Sequence, residues 1–406
     1  MDIEIRTIDE GEFADYAHAV ELAFSDVVTQ EDIEREQTLA ELDRHFAAFD
    51  GSEIVGTAAA HTVPMTVPGG EVEVGYVTAV GVRATHRRRG INTQLMRRQL
   101  DDAHERGELV EVLHASEGAI YGRYGYGLAA LGLSVDVDCS HASFVRGYEP
   151  SGRLRLVERA EAVPHLLAVH EATRGARPGM LALDERRLDY CLSHDHGPDK
   201  GRPSLFVLHD GLDGVDGFAI YRVKHDWPGG SPASILELRD LQATSPAAYA
   251  DLWRYVLDVD LMGRVTAWGR PVDEPLLHLA REPRRLNARI LDSLWVRLVD
   301  VAGALAVRAY GGDGRLVVQV ADSFCAWNEG RYLLDVSGSE ALVSRENALE
   351  ADIACTATDL GAAYLGGTTF RQLFDAGRIE ERSSGAIARA DALFGWGVAP
   401  YSPYEF

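Results

Sequence analysis

From Val77 to Gln99 the chain passes from strand to basic turn to helix, and this unit constrains the fold more than any other stretch. Val77-Thr78-Ala79-Val80-Gly81-Val82 is a β-branched apolar run with the composition of a buried strand. An arginine-dense turn follows, Arg83-Ala84-Thr85-His86-Arg87-Arg88-Arg89-Gly90. After Gly90 the apolar residues adopt helical spacing, with Ile91, Leu95, Met96, Leu100 and Ala103 on one face. The first amides of a helix have no intrahelical acceptor, and the helix dipole favours an anion beside them. Gly90 permits close backbone approach, and the arginines add charge-assisted donors. The pattern predicts a pyrophosphate cradle.

At 406 residues the chain is long enough for two or three domains. Its formal net charge of −23 argues against nucleic acid or an anionic membrane as partner. An arginine cluster on that acidic background suggests a small anionic ligand, and the acidic remainder favours a cationic substrate such as an amine. Cys139, Cys191, Cys325 and Cys355 are far apart and form no paired motif, so neither a disulfide framework nor a zinc site is expected. The first residues lack the pattern of a signal peptide, and no apolar run is long enough to span a bilayer. The expectation is a cytoplasmic protein.

Residues 3–8 alternate as a strand, and Gly11 to Phe24 follow a helical pattern. Phe24–Leu42 is acidic and poorly periodic, a lid or a wall on the substrate side. Asp50-Gly51 and Pro68-Gly69-Gly70 read as hairpin turns, the first between Phe46–Phe49 and Ile54–Ala60, the second between Val63–Val67 and Val72–Val82. Leu109–Ala115 reads as a buried strand, followed by Ser116-Glu117-Gly118-Ala119-Ile120-Tyr121 as a short capped helix and then glycine turns. Leu131–Val137 is expected to complete a first domain at residues 1–150. A second unit, 151–290, repeats the plan, but its helix opens on Ser245-Pro246 with no arginine-glycine turn, so it should not hold a pyrophosphate. From 291 to 406 the texture changes. Leu294–Val299, Leu305–Tyr310 and Leu316–Val320 read as strands, with Gly311–Gly314 as a hairpin turn. Helical patterns follow at Ala357–Leu365, Thr368–Ala376 and Ala386–Phe394.

Arg87-Arg88-Arg89-Gly90-Ile91-Asn92 resembles the R/Q-x-x-G-x-G/A signature of the GNAT N-acetyltransferases, which bind acetyl-CoA there; Asn92 stands where the family usually has Gly or Ala. Tyr121, Arg123, Gly125 and Tyr126 resemble a second GNAT hallmark, a helix ending beside the CoA thiol. The order of strands and helices after residue 291 resembles a sterol carrier protein-like domain. Tandem GNAT-like domains, the second degenerate, followed by such a domain resemble the Eis (enhanced intracellular survival) family, a mixed α/β, α+β architecture.

That resemblance implies acetyl-CoA as co-substrate, no metal, and contacts from Val80, Gly81 and Val82, from Arg88, Arg89, Gly90, Ile91, Asn92 and Thr93, and from Ser116 and Glu117. It implies Tyr121 as the general acid and, as base, the main-chain carboxylate of Phe406, with Glu117 or another cleft carboxylate as the alternative base. Phe24, Asp26 and Glu405 match positions lining the amine pocket. It further implies a small multi-amine acceptor of the aminoglycoside kind and a homohexamer built as a dimer of trimers. Gly81 is expected to interrupt regular strand packing and free backbone amides for the thioester and pantetheine arm.

Two other functions fit the residues less well: acetyl transfer to a protein or peptide amine, and a lipid- or partner-binding scaffold with decayed catalytic machinery. His194-Asp195-His196 has no evident third ligand and reads as a solvated loop, and Arg284-Arg285 as a solvated turn.

Overall fold

The computed structural model describes residues 3–145, 148–193, 202–338 and 340–405. The His194–His196 stretch lies outside them, as does Phe406.

The first unit opens with β1 (Glu4–Thr7), α1 (Phe13–Phe24) and α2 (Gln30–Gln37), then β2 (His45–Asp50), β3 (Glu53–Val67) and β4 (Gly70–Val82). It continues through α3 (Ile91–Glu105), β5 (Val110–His114), α4 (Gly118–Tyr121) and β6 (Gly127–Leu128). The two pieces read at Ile54–Ala60 and Val63–Val67 are one strand, β3, pairing along its length with β4. Both hairpin turns stand as expected, with Gly51 at φ 67° and Gly69 at φ 73°. The poorly periodic acidic stretch contains α2, which starts on a capping box between Thr29 and Asp32. On α3 the buried stripe includes Ile91, Leu95, Met96, Leu100 and Ala103, the residues whose spacing predicted it.

The second unit contains β7 (Leu131–Asp138), β8 (Arg153–Val157), α5 (Arg159–Arg174), α6 (Glu185–Ser193), β9 (Leu205–Gly211), β10 (Gly214–Lys224) and β11 (Ser234–Ala243). It ends with α7 (Pro246–Asp258), β12 (Met262–Pro271), α8 (Leu276–Leu279), β13 (Arg289–Asp292) and β14 (Leu294–Leu298). Helix α7 has Ser245 as N-cap and Pro246 in its first turn, as read from sequence.

Two strands cross between the units. The first sheet has the order β1-β2-β3-β4-β5-β14-β6, the second β13-β7-β12-β11-β10-β9-β8. Leu131–Val137, expected to complete the first domain, instead pairs with β12 and β13 of the second sheet. Leu294–Leu298, expected to begin the third domain, lies between β5 and β6 of the first. β7 buries Leu133, Val135 and Val137 on one face, and β14 buries Leu294, Val296 and Leu298 on one face and Arg297 on the other. Alternation of this kind specifies a strand and its inner face, and says nothing of which sheet receives it. The exchange ties the two sheets together at their cores.

The third unit comprises α9 (Val301–Val307), β15 (Gly314–Ala321), β16 (Gly330–Ser337), β17 (Glu340–Arg345), β18 (Ile353–Thr356), α10 (Ala357–Ala363), α11 (Phe370–Asp375), β19 (Glu380–Glu381) and α12 (Ala386–Phe394). Its sheet order is β17-β16-β15-β18-β19. Of the strand expected at Leu305–Tyr310, Leu305–Val307 ends helix α9 and Arg308–Tyr310 is irregular, and Gly311–Gly314 leads into β15 with no hairpin. A short apolar run is ambiguous in period, and the Asp300 side chain decides it by accepting from Gly303 N–H at 3.1 Å to start the helix.

Candidate active site

Strands β4 and β5 run parallel but pair only at Gly75–Glu111 and Tyr76–Val112. Beyond those residues they part, so their C-terminal ends open a notch in the middle of the sheet. On the other side of β4 the register against β3 slips between Thr57 and Ala59, leaving Ala79 and Val80 without a ladder partner. Ala79 sits at φ 52°, a left-handed conformation rare for a residue with a side chain. The break in strand packing expected at Gly81 is therefore at Ala79, as a β-bulge. Gly81 is required for a different reason: a Cβ there would stand 2.7 Å from the Ala23 Cβ at the end of α1. Phe24, the last residue of α1, lies beside it and is half exposed to solvent.

The basic turn leads from this bulge to α3. Arg88 (φ 64°) and Gly90 (φ 81°) both take left-handed conformations, which turn successive amides into one concavity. The first helical bond runs from Gln94 N–H to Gly90 O at 3.1 Å, so the amides of Ile91, Asn92 and Thr93 precede it. Arg88 and Arg89 are exposed and have no ion pair among the described residues, whereas Arg87 donates to the Ala23 carbonyl at 3.1 Å and the Val82 carbonyl at 3.3 Å. Arg87 is thus a strut between the turn and α1, and Arg88 and Arg89 are the arginines left for an anion. Asn92 is half-buried in the first turn, its Oδ1 lacking a hydrogen-bond partner among the described residues. These donors fit a diphosphate.

Across the notch, Ser116 and Glu117 are exposed just after β5. Tyr121 closes the single turn of α4 and is buried. Burial, then Tyr124 and Glu117, push its hydroxyl up to about 12, so it is protonated throughout the neutral range. The Tyr124 hydroxyl lies 3.4 Å from Thr93 Oγ1, joining the turn after Tyr121 to the start of α3. Tyr126 packs edge-on against Tyr121, with ring centres 6.0 Å apart. The turn is braced from the third unit: Thr358 Oγ1 donates to the Gly122 carbonyl at 3.0 Å, and Phe324 packs on Tyr124 with ring centres 5.0 Å apart.

The tail reaches the same end of β5. Glu405 acts on His114, favouring its charged form, while burial pushes the imidazole below its ordinary range. Asp26 follows the end of α1, its Oδ1 accepting from Val27 N–H at 2.8 Å. Nearby, burial pushes Glu36 of α2 up to about 7, and Glu21 and Asp32 add to the shift. This acidic group faces Tyr190 of α6, whose neighbour Cys191 donates its thiol to the Glu405 carbonyl at 3.5 Å. The acidic group and the tail therefore both lie against the end of α6. Among the described residues no group of His, Cys, Asp and Glu is arranged to hold a metal.

Residues 4–129 and 179–298 each match an acetyltransferase (GNAT) domain family, and residues 301–403 match a sterol carrier protein domain family. An N-acetyltransferase of Streptomyces avermitilis is 41% identical over 100% of each chain. N-acetyltransferase Eis of Mycobacterium tuberculosis is 32% identical, across 95% of this chain and 94% of its own. The chain belongs to the Eis family of GNAT N-acetyltransferases. The crystal structure of Eis1 from Mycobacterium abscessus superposes with a TM-score of 0.84 at 33% identity, covering 99% of this chain and 100% of that one. As a GNAT acetyltransferase, this Eis-family chain uses acetyl-CoA. No helix among the described residues is long and apolar enough to cross a membrane.

Sequence reading missed several residues that shape this Eis-family site. His114 Nδ1 lies 2.9 Å from the Tyr76 hydroxyl, and its Nε2 is buried without a partner among the described residues. Glu111, on β5, accepts from Tyr126 at 2.6 Å and Gln99 at 2.9 Å and holds the aromatic neighbour of Tyr121 in place. Both sit on a strand that reads as plain core, and only the polar letter at each position offered a signal.

Proposed function

We propose that the chain transfers acetyl from acetyl-CoA to a primary amine of a small multi-amine molecule of the aminoglycoside kind, by direct attack at the mouth of the β4–β5 notch. The observation that supports this reading is that the turn bearing a protonated Tyr121 follows β5, at whose end Glu405 of the C-terminal tail acts on His114. The unpaired backbone at Val80, with Gly81 and Val82, holds the thioester arm. Arg88 through Thr93, with Ser116 and Glu117, fix the nucleotide end, so that binding energy remote from the reaction orients the acyl group. Phe24, Asp26 and Glu405 receive the amine, and Glu21, Asp32 and Glu36 favour a substrate carrying further cationic groups.

The amine must lose a proton to attack. The main-chain carboxylate of Phe406 takes it, and Tyr121 protonates the departing thiolate. Residues 1–150 form the catalytic unit, 151–290 the silent copy and 291–406 the third domain, apart from the exchanged strands. The enzyme works in the cytoplasm as a homohexamer, a dimer of trimers, with no nucleic-acid partner and no metal.

The test is acetyl transfer measured over a panel of kanamycin-like polyamines and of peptides with free N-termini. Turnover of the polyamines alone is expected. Turnover of the peptides alone would replace this reading with a peptide acetyltransferase, and failure to bind CoA would leave a scaffold.

A further inference from the structure

The second unit repeats the geometry of the first at the place where the first binds its cofactor. Strands β11 and β12 run parallel and pair from Ser234–Met262 to Leu238–Ala267, then part. Strand β11 also carries an extra residue, Arg239, against the Ile220–Tyr221 step of β10, as β4 carries its bulge at Ala79. In the first unit the divergence leaves an open notch. In the second it is filled with charge.

Asp240 and Arg270 face each other across the divergence, Oδ1 to Nη1 at 3.4 Å, and both are buried. Arg270 also donates to Glu274 at 3.1 Å, to the Leu241 carbonyl at 2.8 Å and to the Tyr249 hydroxyl at 2.9 Å. One cation thus meets two buried carboxylates, and the surplus negative charge demands neutral donors. Leu241 N–H and the Gln242 amide each supply one to Asp240 at 2.7 Å. The shortest comes from the C-terminal tail: the Tyr404 hydroxyl donates to Asp240 Oδ2 at 2.6 Å. Arg270 Nη1 donates in turn to the Tyr401 hydroxyl at 3.3 Å.

The tail is held upstream by the same unit. Arg177 donates to the Ala399 carbonyl at 2.8 Å, and Tyr401 N–H donates to the Pro178 carbonyl at 2.8 Å. The Tyr404 ring packs edge-on against His170, with ring centres 5.6 Å apart. Immediately beyond Tyr404, Glu405 faces His114 of the first unit.

We propose that the notch of the degenerate copy has been converted from a cofactor site into an anchor for the C-terminal tail, with Asp240 and Arg270 as positioning residues for acetyl transfer. This rests on the tail-borne base proposed above. The silent domain then fixes the segment 399–405 through buried, directional bonds, so that the residue after Glu405 meets the amine in the first unit's site.

Tyr404→Phe keeps the ring and its packing while removing the donor; Asp240→Asn removes the charge that the donor answers. The measurements are kcat, KM for acetyl-CoA, and amide hydrogen exchange over 399–405 in the full chain. For Tyr404→Phe we expect kcat to fall about 10-fold or more and the tail amides to exchange about 10-fold faster, with KM for acetyl-CoA unchanged. Because the Tyr404 hydroxyl acts through Asp240, the double variant should lose no more than the worse single one. Unchanged tail exchange in Tyr404→Phe, or faster exchange with unaltered kcat, would overturn the proposal. A chain with one residue added after Phe406 tests the base separately. Full activity there removes the terminal base, while loss there beside a fully active Tyr404→Phe enzyme removes the anchor alone.

Discussion

The Thr57 hydroxyl donates to the Ala79 carbonyl at 2.7 Å across the β3–β4 pair and holds the residue that kinks β4 at φ 52°. That bond fixes the backbone which leaves Val80 unpaired at the notch. Thr57→Val keeps the shape and deletes the donor, at a cost of about 1 kcal/mol in stability. We expect KM for acetyl-CoA to rise about 3- to 10-fold, measured by steady-state transfer alongside thermal unfolding, because a loosened bulge no longer presents the amides at fixed positions.

Gly81→Ala places a methyl 2.7 Å from the Ala23 Cβ, so that β4 or α1 must shift to admit it. Overpacking of this kind costs about 1–3 kcal/mol. Since Phe24 is the next residue of α1, the variant should show a lower unfolding midpoint and a raised KM for the amine, read from urea melts and acceptor titrations.

The strand, turn and helix of residues 77–105 were legible because three independent signals agree there: β-branching, a glycine in an arginine turn, and a 3.6-residue stripe. The proposed role of Tyr121 rests on a motif, since nothing in a lone tyrosine separates an acid from a packing ring. The β7 and β14 exchange was not legible at all. A strand's letters encode which faces are buried, not which pair of strands receives it, and each of these two strands inserts between two others. The Asp240–Arg270 anchor was hidden for a related reason, because residues 240, 270 and 404 meet only in three dimensions.

Asn92 holds a buried amide oxygen without a partner among the described residues, at a helical position where alanine has the higher propensity. Asn92→Ala removes both penalties. A gain of about 0.5–2 kcal/mol in stability is expected, measured by chemical denaturation.

Burial pushes the Glu111 carboxyl up to about 7, against the opposing hydrogen bonds from Gln99 and Tyr126. Unfolded, a glutamate releases its proton near pH of about 4.3. Between those values the folded chain binds the extra proton, so this group's contribution is full below the lower value and lost as pH rises through the upper one. Glu111→Gln should therefore gain stability over wild type when pH is raised from about 5 to about 8, read as a widening gap between urea midpoints. A gap that stays constant would place the carboxylate outside the folding equilibrium.

The central step proposed here is proton delivery by Tyr121, and Tyr121→Phe probes it with one atom. The decisive measurement is kcat for acetyl transfer to a kanamycin-like polyamine, taken beside the acetyl-CoA dissociation constant. We expect kcat to fall about 10²- to 10⁴-fold while that constant stays within about twofold of wild type. Unaltered kcat, or loss of acetyl-CoA binding in step with activity, would contradict the assignment of Tyr121 as the acid.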